Sequence, residues 1–301
     1  ILSIAYRIGV LGYHVFLQIA TLVHPKARAF VRGRKTQGRA EPNLRKAIKQ
    51  HGGPVIWMHC ASLGEFEQGR PVFEALRKKR EDAFMVLTFF SPSGYQKRKD
   101  YPLADQVLYL PMDTPRNARR FVQLLQPEIV IFVKYEFWYF HLKALEQANV
   151  AIYLISAIFR PNQIFFRPFW GRLHRQLLTC FRKIFVQEED SAQLLKTISG
   201  LEVVVAGDTR VDRVVTLAQQ PDSLPGISHF VGDADAFIAG STWPADEQIL
   251  YPLFASTPPD LKWIIAPHEL GQEHLKAIEQ KFGPNLIRYT QLKQSEPVSA
   301  R

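Results

Sequence analysis

The chain has 301 residues, 47% hydrophobic and 22% charged, which excludes a largely disordered protein and leaves room for two ordinary domains. Its two cysteines, Cys60 and Cys180, exclude a disulfide framework and a four-thiolate zinc site. The net charge of +10 is unevenly placed: residues 1–50 carry ten Lys and Arg against Glu41 alone, while the other 251 residues carry 28 basic and 27 acidic side chains, so a near-neutral body follows a basic front end.

Residues 1–23 are mostly apolar, interrupted by Ser3, Arg7, His14, Gln18 and Thr21. At about 100° per residue these five share a sector of about 60° on one helical face. A narrow polar stripe suits a helix sunk in a membrane interface, or one whose stripe docks on protein. A single span with Lys26 to Lys49 held on the cytoplasmic side is the competing reading, and a helix buried against the body is the third. The basic stretch would meet anionic headgroups, so residues 1–35 are expected to engage a membrane surface. No basic start precedes the apolar run and no small-residue cleavage site follows it, which argues against a cleaved signal peptide.

From residue 54 short β-rich runs alternate with amphipathic ones. Strands are expected at Pro54–His59, Phe84–Phe89, Gln106–Leu110, Ile129–Val133, Ala151–Ile155, Lys183–Val186 and Val203–Ala206. Helices are expected between them, at 65–80, 93–100, 115–126, 137–148, 164–180, 188–198 and 210–219. Near-continuous apolar strands such as IVIFV are buried on both faces, so the pattern predicts βαβ units in a doubly wound parallel sheet. Residues 219–232 read as a linker. The alternation then restarts with strands at Ala236–Ala239, Lys262–Ala266 and 285–288 and helices at 244–254 and 268–282. The expected organisation is a front segment, 1–50, a complete α/β domain, 51–218, the linker, and a second α/β unit, 233–301, too short for a closed doubly wound domain.

Absent motifs narrow the chemistry. There is no G-x-G-x-x-G, no Walker A loop and no G-x-S-x-G elbow. His268 and His274 are six apart, about 240° around a helix, so they do not share a metal. Basic residues of the body do not interleave with aromatics, and no nucleic-acid partner is expected.

Polar residues at strand ends carry what chemistry remains, because ligands of open α/β sheets sit there. In His59-Cys-Ala-Ser-Leu-Gly-Glu65, Gly64 allows a tight turn and Glu65 stands at a helix start. Glu65 is either a general base for a hydroxyl or, with Ser62, half of a capping box. Glu136 follows the apolar strand of Val133-Lys-Tyr-Glu-Phe-Trp138, as an active carboxylate or as a favourable helix start. Arg210, in Val205-Ala-Gly-Asp-Thr-Arg-Val-Asp212, is poised for an anion or for a salt bridge with Asp212 or a neighbour. Gly240, Ser241 and Thr242 could face a phosphate, or Ser or Thr could cap the next helix. His268, after Pro267, could contact a ligand or cap a helix.

Six segments, HCASLGEFEQGRP, PEIVIFVKYEFW, LISAIFRPNQIFF, KIFVQEEDSAQLL, VVVAGDTRVDRV and IAGSTWPADE, in this order, give a chain that resembles the 3-deoxy-D-manno-octulosonic acid (Kdo) transferases of Gram-negative bacteria. The resemblance implies a GT-B glycosyltransferase, with two Rossmann-like doubly wound domains facing a cleft and the second incomplete. It implies inverting transfer of Kdo from CMP-Kdo to a lipid A precursor, without metal or cofactor, at the cytoplasmic face of the inner membrane. By position the Glu of the S-x-G-E motif falls on Glu65, the base. The Glu of E-[FL]-W falls on Glu136 and the basic residue of G-[DN]-x-[RK] on Arg210, both assigned to stabilising the transition state. Ser62, Gly64 and Arg160 are the implied acceptor contacts, with Arg167, Arg172 and Arg175 as further phosphate candidates. Ser241, Thr242, Pro267 and His268 are the implied donor contacts. The chain departs from the family at Pro267-His268, where many members carry Arg-His. The family also continues beyond this end with further CMP-binding segments, so the chain as it stands is expected to have an incomplete donor domain and little or no activity. A different GT-B enzyme and a non-catalytic, membrane-docked lipid-binding relative are the alternatives.

Overall fold

A computed structural model describes residues 2–168, 171–219, 224–283 and 286–292, which divide into two compact units, 1–219 and 220–301. Unit 1 opens with helices α1 (Leu2–Ala20) and α2 (Pro25–His51). It continues as β1 (Val55–Cys60), α3 (Leu63–Lys79), β2 (Phe84–Phe89), α4 (Pro92–Arg98), β3 (Gln106–Tyr109), α5 (Pro115–Leu125), β4 (Pro127–Val133) and α6 (Tyr139–Gln147). Then come β5 (Ala151–Ala157), α7 (Gly171–Leu178), β6 (Lys183–Val186), α8 (Glu189–Lys196), β7 (Val203–Val205) and α9 (Thr209–Gln219). The strands form one parallel sheet in the order β3-β2-β1-β4-β5-β6-β7. The order reverses between β1 and β4, so the ligand crevice of such a sheet lies at the carboxyl ends of these two neighbours.

The expected parallel sheet forms because its strands are apolar on both faces. In β1, Val55 and Trp57 enter one core and Ile56, Met58 and Cys60 the other, and all five are buried. Helix α3 lies close on the sheet at Gly69, where a Cβ would come within 2.9 Å of both the Met58 sulfur and Val133 Cγ2. This close approach fixes the start of α3 over the ends of β1 and β4. One expected element fails here for a local reason. The helix expected over 164–180 breaks at Pro168: a 3₁₀ turn (Ile164–Phe166) precedes it, Arg167 is extended, and α7 begins at Gly171. Residues 169 and 170 lie outside the described ones.

The front segment is part of unit 1, and its basic stretch is a helix, α2. Arg34 of α2 is caged: its guanidinium donates to the carbonyls of Leu110 at 3.0 Å and Phe90 at 2.8 Å and lies 3.5 Å from the centre of the Phe30 ring. Burial pulls its pKa down to about 9, which leaves it charged at neutral pH. Helix α1 turns Tyr6, Val10 and Leu17 inward and leaves Ile4, Ile8, Leu11, Val15 and Ile19 exposed. The docked face is therefore mainly apolar and takes in one edge of the polar stripe: His14, Gln18 and Thr21 are half-buried, whereas Arg7 is exposed. His14 and Gln18 of the stripe bond each other at 3.4 Å. Among the described residues no single helix is long and apolar enough to cross a membrane; α1 and α2 form a pair bent by 115°.

Unit 2 holds α10 (Pro225–Val231), β8 (Ala236–Thr242), α11 (Pro244–Ser256), β9 (Lys262–Pro267) and α12 (Gln272–Phe282), with β8 and β9 paired in parallel. The expected linker thus contains a helix, with Gly226 packed so closely that a Cβ would lie 3.0 Å from Leu292; residues 220–223 lie outside the described ones. The strand expected at 285–288 is not one: 286–288 lead into a 3₁₀ turn, Tyr289–Gln291, and Asn285 lies outside the described residues. Helix α12 starts four residues later than expected, after Gly271.

One buried carboxylate ties α1 to the body. Asp113, after β3, accepts from the Tyr6 hydroxyl at 2.7 Å, Phe140 N–H at 3.1 Å, His141 N–H at 3.0 Å and His141 Nδ1 at 2.7 Å. Burial alone would raise its pKa, but the bonds from His141 and Tyr6 outweigh burial and hold it below the ordinary aspartate range. Asp113→Ala strands these donors and is expected to cost about 3 kcal/mol or more in urea denaturation. A depressed folded pKa contributes stability above the unfolded value of about 3.9, lost as pH falls through the folded value. The gap between wild type and variant should therefore close in acid.

Candidate active site

Glu65 sits three residues into the first turn of α3, directly after β1. The Ser62 N–H donates to Glu65 Oε2 at 2.7 Å, the Ser62 hydroxyl donates to the same oxygen at 3.1 Å, and the Glu65 N–H donates to Ser62 Oγ at 3.4 Å. The capping box is thus real. It occupies only one carboxylate oxygen: Oε1 accepts no hydrogen bond among the described residues. Burial and the negative charge of Glu136 push the Glu65 carboxyl above the ordinary glutamate range; the Ser62 bonds and His59 pull the other way and lose. Capping and base chemistry are therefore compatible in one side chain. Gly64 is exposed beside it.

Glu136 does not begin a helix. Helix α6 starts at Tyr139, and Glu136 lies ahead of it, 8% exposed. Its Oε2 accepts from Trp138 Nε1 at 2.6 Å and from His59 Nε2 at 3.2 Å. The imidazole of His59, fully buried, meets the Thr88 hydroxyl at 2.8 Å through Nδ1. Trp57 Nε1 donates to the same hydroxyl at 2.8 Å. A consistent proton order runs from the Thr88 hydroxyl to His59 Nδ1 and from His59 Nε2 to Glu136. Strands β1, β2 and the turn after β4 thus hold one carboxylate from three sides.

Arg210, in the first turn of α9, is exposed and paired with Asp208, its Nη2 donating to Oδ2 at 2.5 Å and its Nε to Oδ2 at 3.0 Å. It touches neither Glu65 nor Glu136. Its neighbour Thr209 donates to the Gln68 carbonyl at 2.5 Å and accepts from Ser156 at 3.0 Å, which binds the start of α9 to α3, one turn beyond Glu65. Lys134 and Ser156, the residues at the ends of β4 and β5, have φ of 72° and 55°, a costly conformation for non-glycine residues that clusters at functional sites. Arg160 is exposed in the loop after β5, with its N–H bonded to Gln163, and Arg175 is spent on the Phe165 carbonyl.

In unit 2 a smaller cluster forms. Ser241, with φ of 60°, meets His268 Nδ1 at 2.8 Å through its hydroxyl, and the His268 ring stacks on Trp243 at 4.4 Å. Thr242 is turned inward and donates to Glu247 at 3.0 Å, so its hydroxyl is not open to a ligand. Neither Ser241 nor Thr242 caps α11: Asp246 accepts from the Trp243 N–H at 2.8 Å. His268 caps no helix either. Pro267 ends β9 opposite Thr242. His274 bonds Glu247, away from His268. Burial raises both thiols, Cys60 well up and Cys180 to about 11, so neither is a nucleophile at neutral pH.

The arrangement can take a proton from a hydroxyl at Glu65 and face positive charge with Glu136. The sequence does not single out His59, Thr88 and Trp138, which hold Glu136; His59 and Trp138 lie inside two of the motif segments, whereas Thr88 bears no sequence signal. Thr88→Val keeps the shape but strands the Trp57 N–H and loosens His59, for an expected loss of about 1–3 kcal/mol in urea denaturation. A loss below about 0.5 kcal/mol would show that the hydroxyl is not the pivot.

A family model described as 3-Deoxy-D-manno-octulosonic-acid transferase (kdotransferase) matches residues 32–213. The 3-deoxy-D-manno-octulosonic acid transferase of Aquifex aeolicus is 25% identical over 233 residues, 75% of this chain and 58% of the relative. That of Chlamydia trachomatis is 24% identical over 245 residues, covering 79% and 57%. That of Haemophilus influenzae is 32% identical over 85 residues, 28% and 20%. The chain thus spans under three fifths of the length of these relatives. Among solved structures, the UDP-GlcNAc 2-epimerase of Neisseria meningitidis bound to UDP-GlcNAc aligns with TM-score 0.54 at 17% identity, covering 76% and 69%. A UDP-N-acetylglucosamine 2-epimerase described as putative, from Listeria monocytogenes, aligns with TM-score 0.54 at 16% identity, covering 77% and 67%. At such identity these two speak for the fold alone, the GT-B type. With the family match spanning more than half of its residues, the chain belongs to the 3-deoxy-D-manno-octulosonic acid transferase family.

Proposed function

We propose that the protein transfers Kdo from CMP-Kdo to a hydroxyl of a lipid A precursor, with inversion and without metal or cofactor. The observation that carries this is Glu65: a carboxylate of raised proton affinity with one oxygen held and one open, at the sheet switch point of a Kdo transferase family chain. The acceptor oxygen bonds to the anomeric carbon while its proton passes to Glu65 Oε1. The bond from that carbon to the phosphate oxygen of CMP breaks, and the phosphate leaves with the electron pair. Glu136 offsets positive charge at the anomeric carbon. Arg210 neutralises the departing phosphate; its exposed pairing with Asp208 costs little to exchange. Ser62, Gly64 and Arg160 serve the acceptor, and Ser241 and His268 the donor.

The exposed apolar stripe of α1 and the basic α2 support an interfacial setting, at the cytoplasmic face of a Gram-negative inner membrane.

The test is Kdo transfer to a lipid A precursor by the protein expressed from its complete gene, read by mass spectrometry. Gln at the third helical position still completes a capping box, so Glu65→Gln isolates the base from the cap. The expected loss is about 10²–10⁴-fold with folding intact. An undiminished rate in Glu65→Gln would return the residue to capping alone. No product from folded wild type would overturn the transferase reading.

A further inference from the structure

An open pocket of about 440 Å³ lies between the inner face of α1 and the body. Tyr6, Gly9, Val10 and Tyr13 form its helical wall, with Phe90 and Trp138 among the residues of the body that line it. Its volume falls in the range of small-molecule sites, roughly 300–1,000 Å³. Apart from the Tyr13 hydroxyl, its side-chain polar groups are already spent. The Tyr6 hydroxyl and both oxygens of Asp113 bond within the network described above, and the Trp138 N–H goes to Glu136. A sugar or a phosphate would find almost no partner on these walls, whereas an alkyl chain needs none.

The helix also leaves a way in. Between its buried face and its exposed stripe, one flank carries the polar residues Arg7, His14 and Gln18; the other carries Ala5, Gly9, Gly12 and Ala20, with the exposed ring of Phe16 one turn further on. At Gly9 and Gly12 a Cβ would meet nothing within 4 Å. A glycine inside a helix costs about 1 kcal/mol relative to alanine, and here the missing side chain leaves the space beside the pocket open. The outer stripe, with Ile8 64% and Ile19 62% exposed, is continuous with that flank. At the far wall the Trp138 ring lies tilted against Phe90, 4.6 Å between centres, and its N–H bonds Glu136 at 2.6 Å, so the pocket and the carboxylate site share one side chain.

We infer that this pocket takes one acyl chain of the membrane-borne acceptor, entering at the gap that Gly9 and Gly12 leave in α1 and setting the acceptor's polar part beside Glu136. The inference rests on the transferase reading for the identity of the lipid. The acyl site itself stands on the geometry.

Two measurements on the intact protein separate these. Terminally brominated dodecanoate, held below its micellar concentration, quenches tryptophan on contact. Saturable quenching is expected in wild type and is lost in Trp138→Phe. Gly9→Phe fills the pocket and should raise the half-saturation about tenfold, while Gly38→Phe, on the open face of α2, leaves it unchanged. Gly9→Leu replaces Gly9→Phe if circular dichroism shows misfolding. In transfer kinetics, Gly9→Phe should raise KM for a long-chain acceptor far more than for a short-chain one, and more than it alters kcat. Equal half-saturation in wild type and Gly9→Phe overturns the pocket, whatever the transfer assay gives. Variant-sensitive quenching with a KM indifferent to chain length means that bulk lipid fills the pocket, and overturns the acceptor's chain as occupant. Variant-sensitive quenching with no transfer at all upholds the acyl site and removes the reaction.

Discussion

Two carboxylates, Glu65 and Glu136, stand at the ends of neighbouring strands in a partly dry crevice, and burial together with the negative charge of Glu136 makes the charge on Glu65 more costly. Left alone such a pair would part or protonate. Here each is held by a different device. Glu65 is fixed through one oxygen by the Ser62 N–H and hydroxyl. Glu136 is fixed by Trp138 and by an imidazole that is itself fixed by Thr88. The two charges stay near each other because their surroundings hold them: a capping box on one side, β1, β2 and the turn after β4 on the other. Burial first, and the Glu136 charge with it, leave a carboxyl on Glu65 that prefers a proton more than a glutamate in water does.

The rest of unit 1 serves that contact. The reversal of strand order puts β1 and β4 side by side, and Gly69 lets α3 settle close on both. Thr209 draws the start of α9 back to α3, so the chain segment bearing Arg210 returns from the distal edge of the sheet. Asp113 pins α1 and the start of α6 to one another, which joins the apolar outer helix to the turn carrying Trp138 and Glu136. The outer helix and the Glu136 carboxylate are thereby joined through Asp113 and the start of α6.

Much of this was legible in the sequence where one local pattern decides the outcome. Apolar runs such as IVIFV fixed β4 and its burial, and Ser62-x-x-Glu65 announced the capping box. What was hidden depended on distant pairing. Nothing near Thr88 or Asp113 in the chain says that one will orient His59 and the other will receive Tyr6 from 107 positions away. The polar stripe of α1 marked only the edge of the docked face, because aromatic and aliphatic packing at Tyr6, Val10 and Leu17 sets its centre, with His14 and Gln18 half-buried beside it. Pro168 was readable as a helix breaker and divides the expected helix there.

The central claim is that Glu136 raises the proton affinity of Glu65. It is tested most directly by titrating the Glu65 carboxyl carbon by NMR in wild type and in Glu136→Gln. The account predicts a wild-type midpoint above the ordinary glutamate value of about 4.3, falling in the variant. A wild-type midpoint at or below that value, unmoved by the substitution, would contradict it.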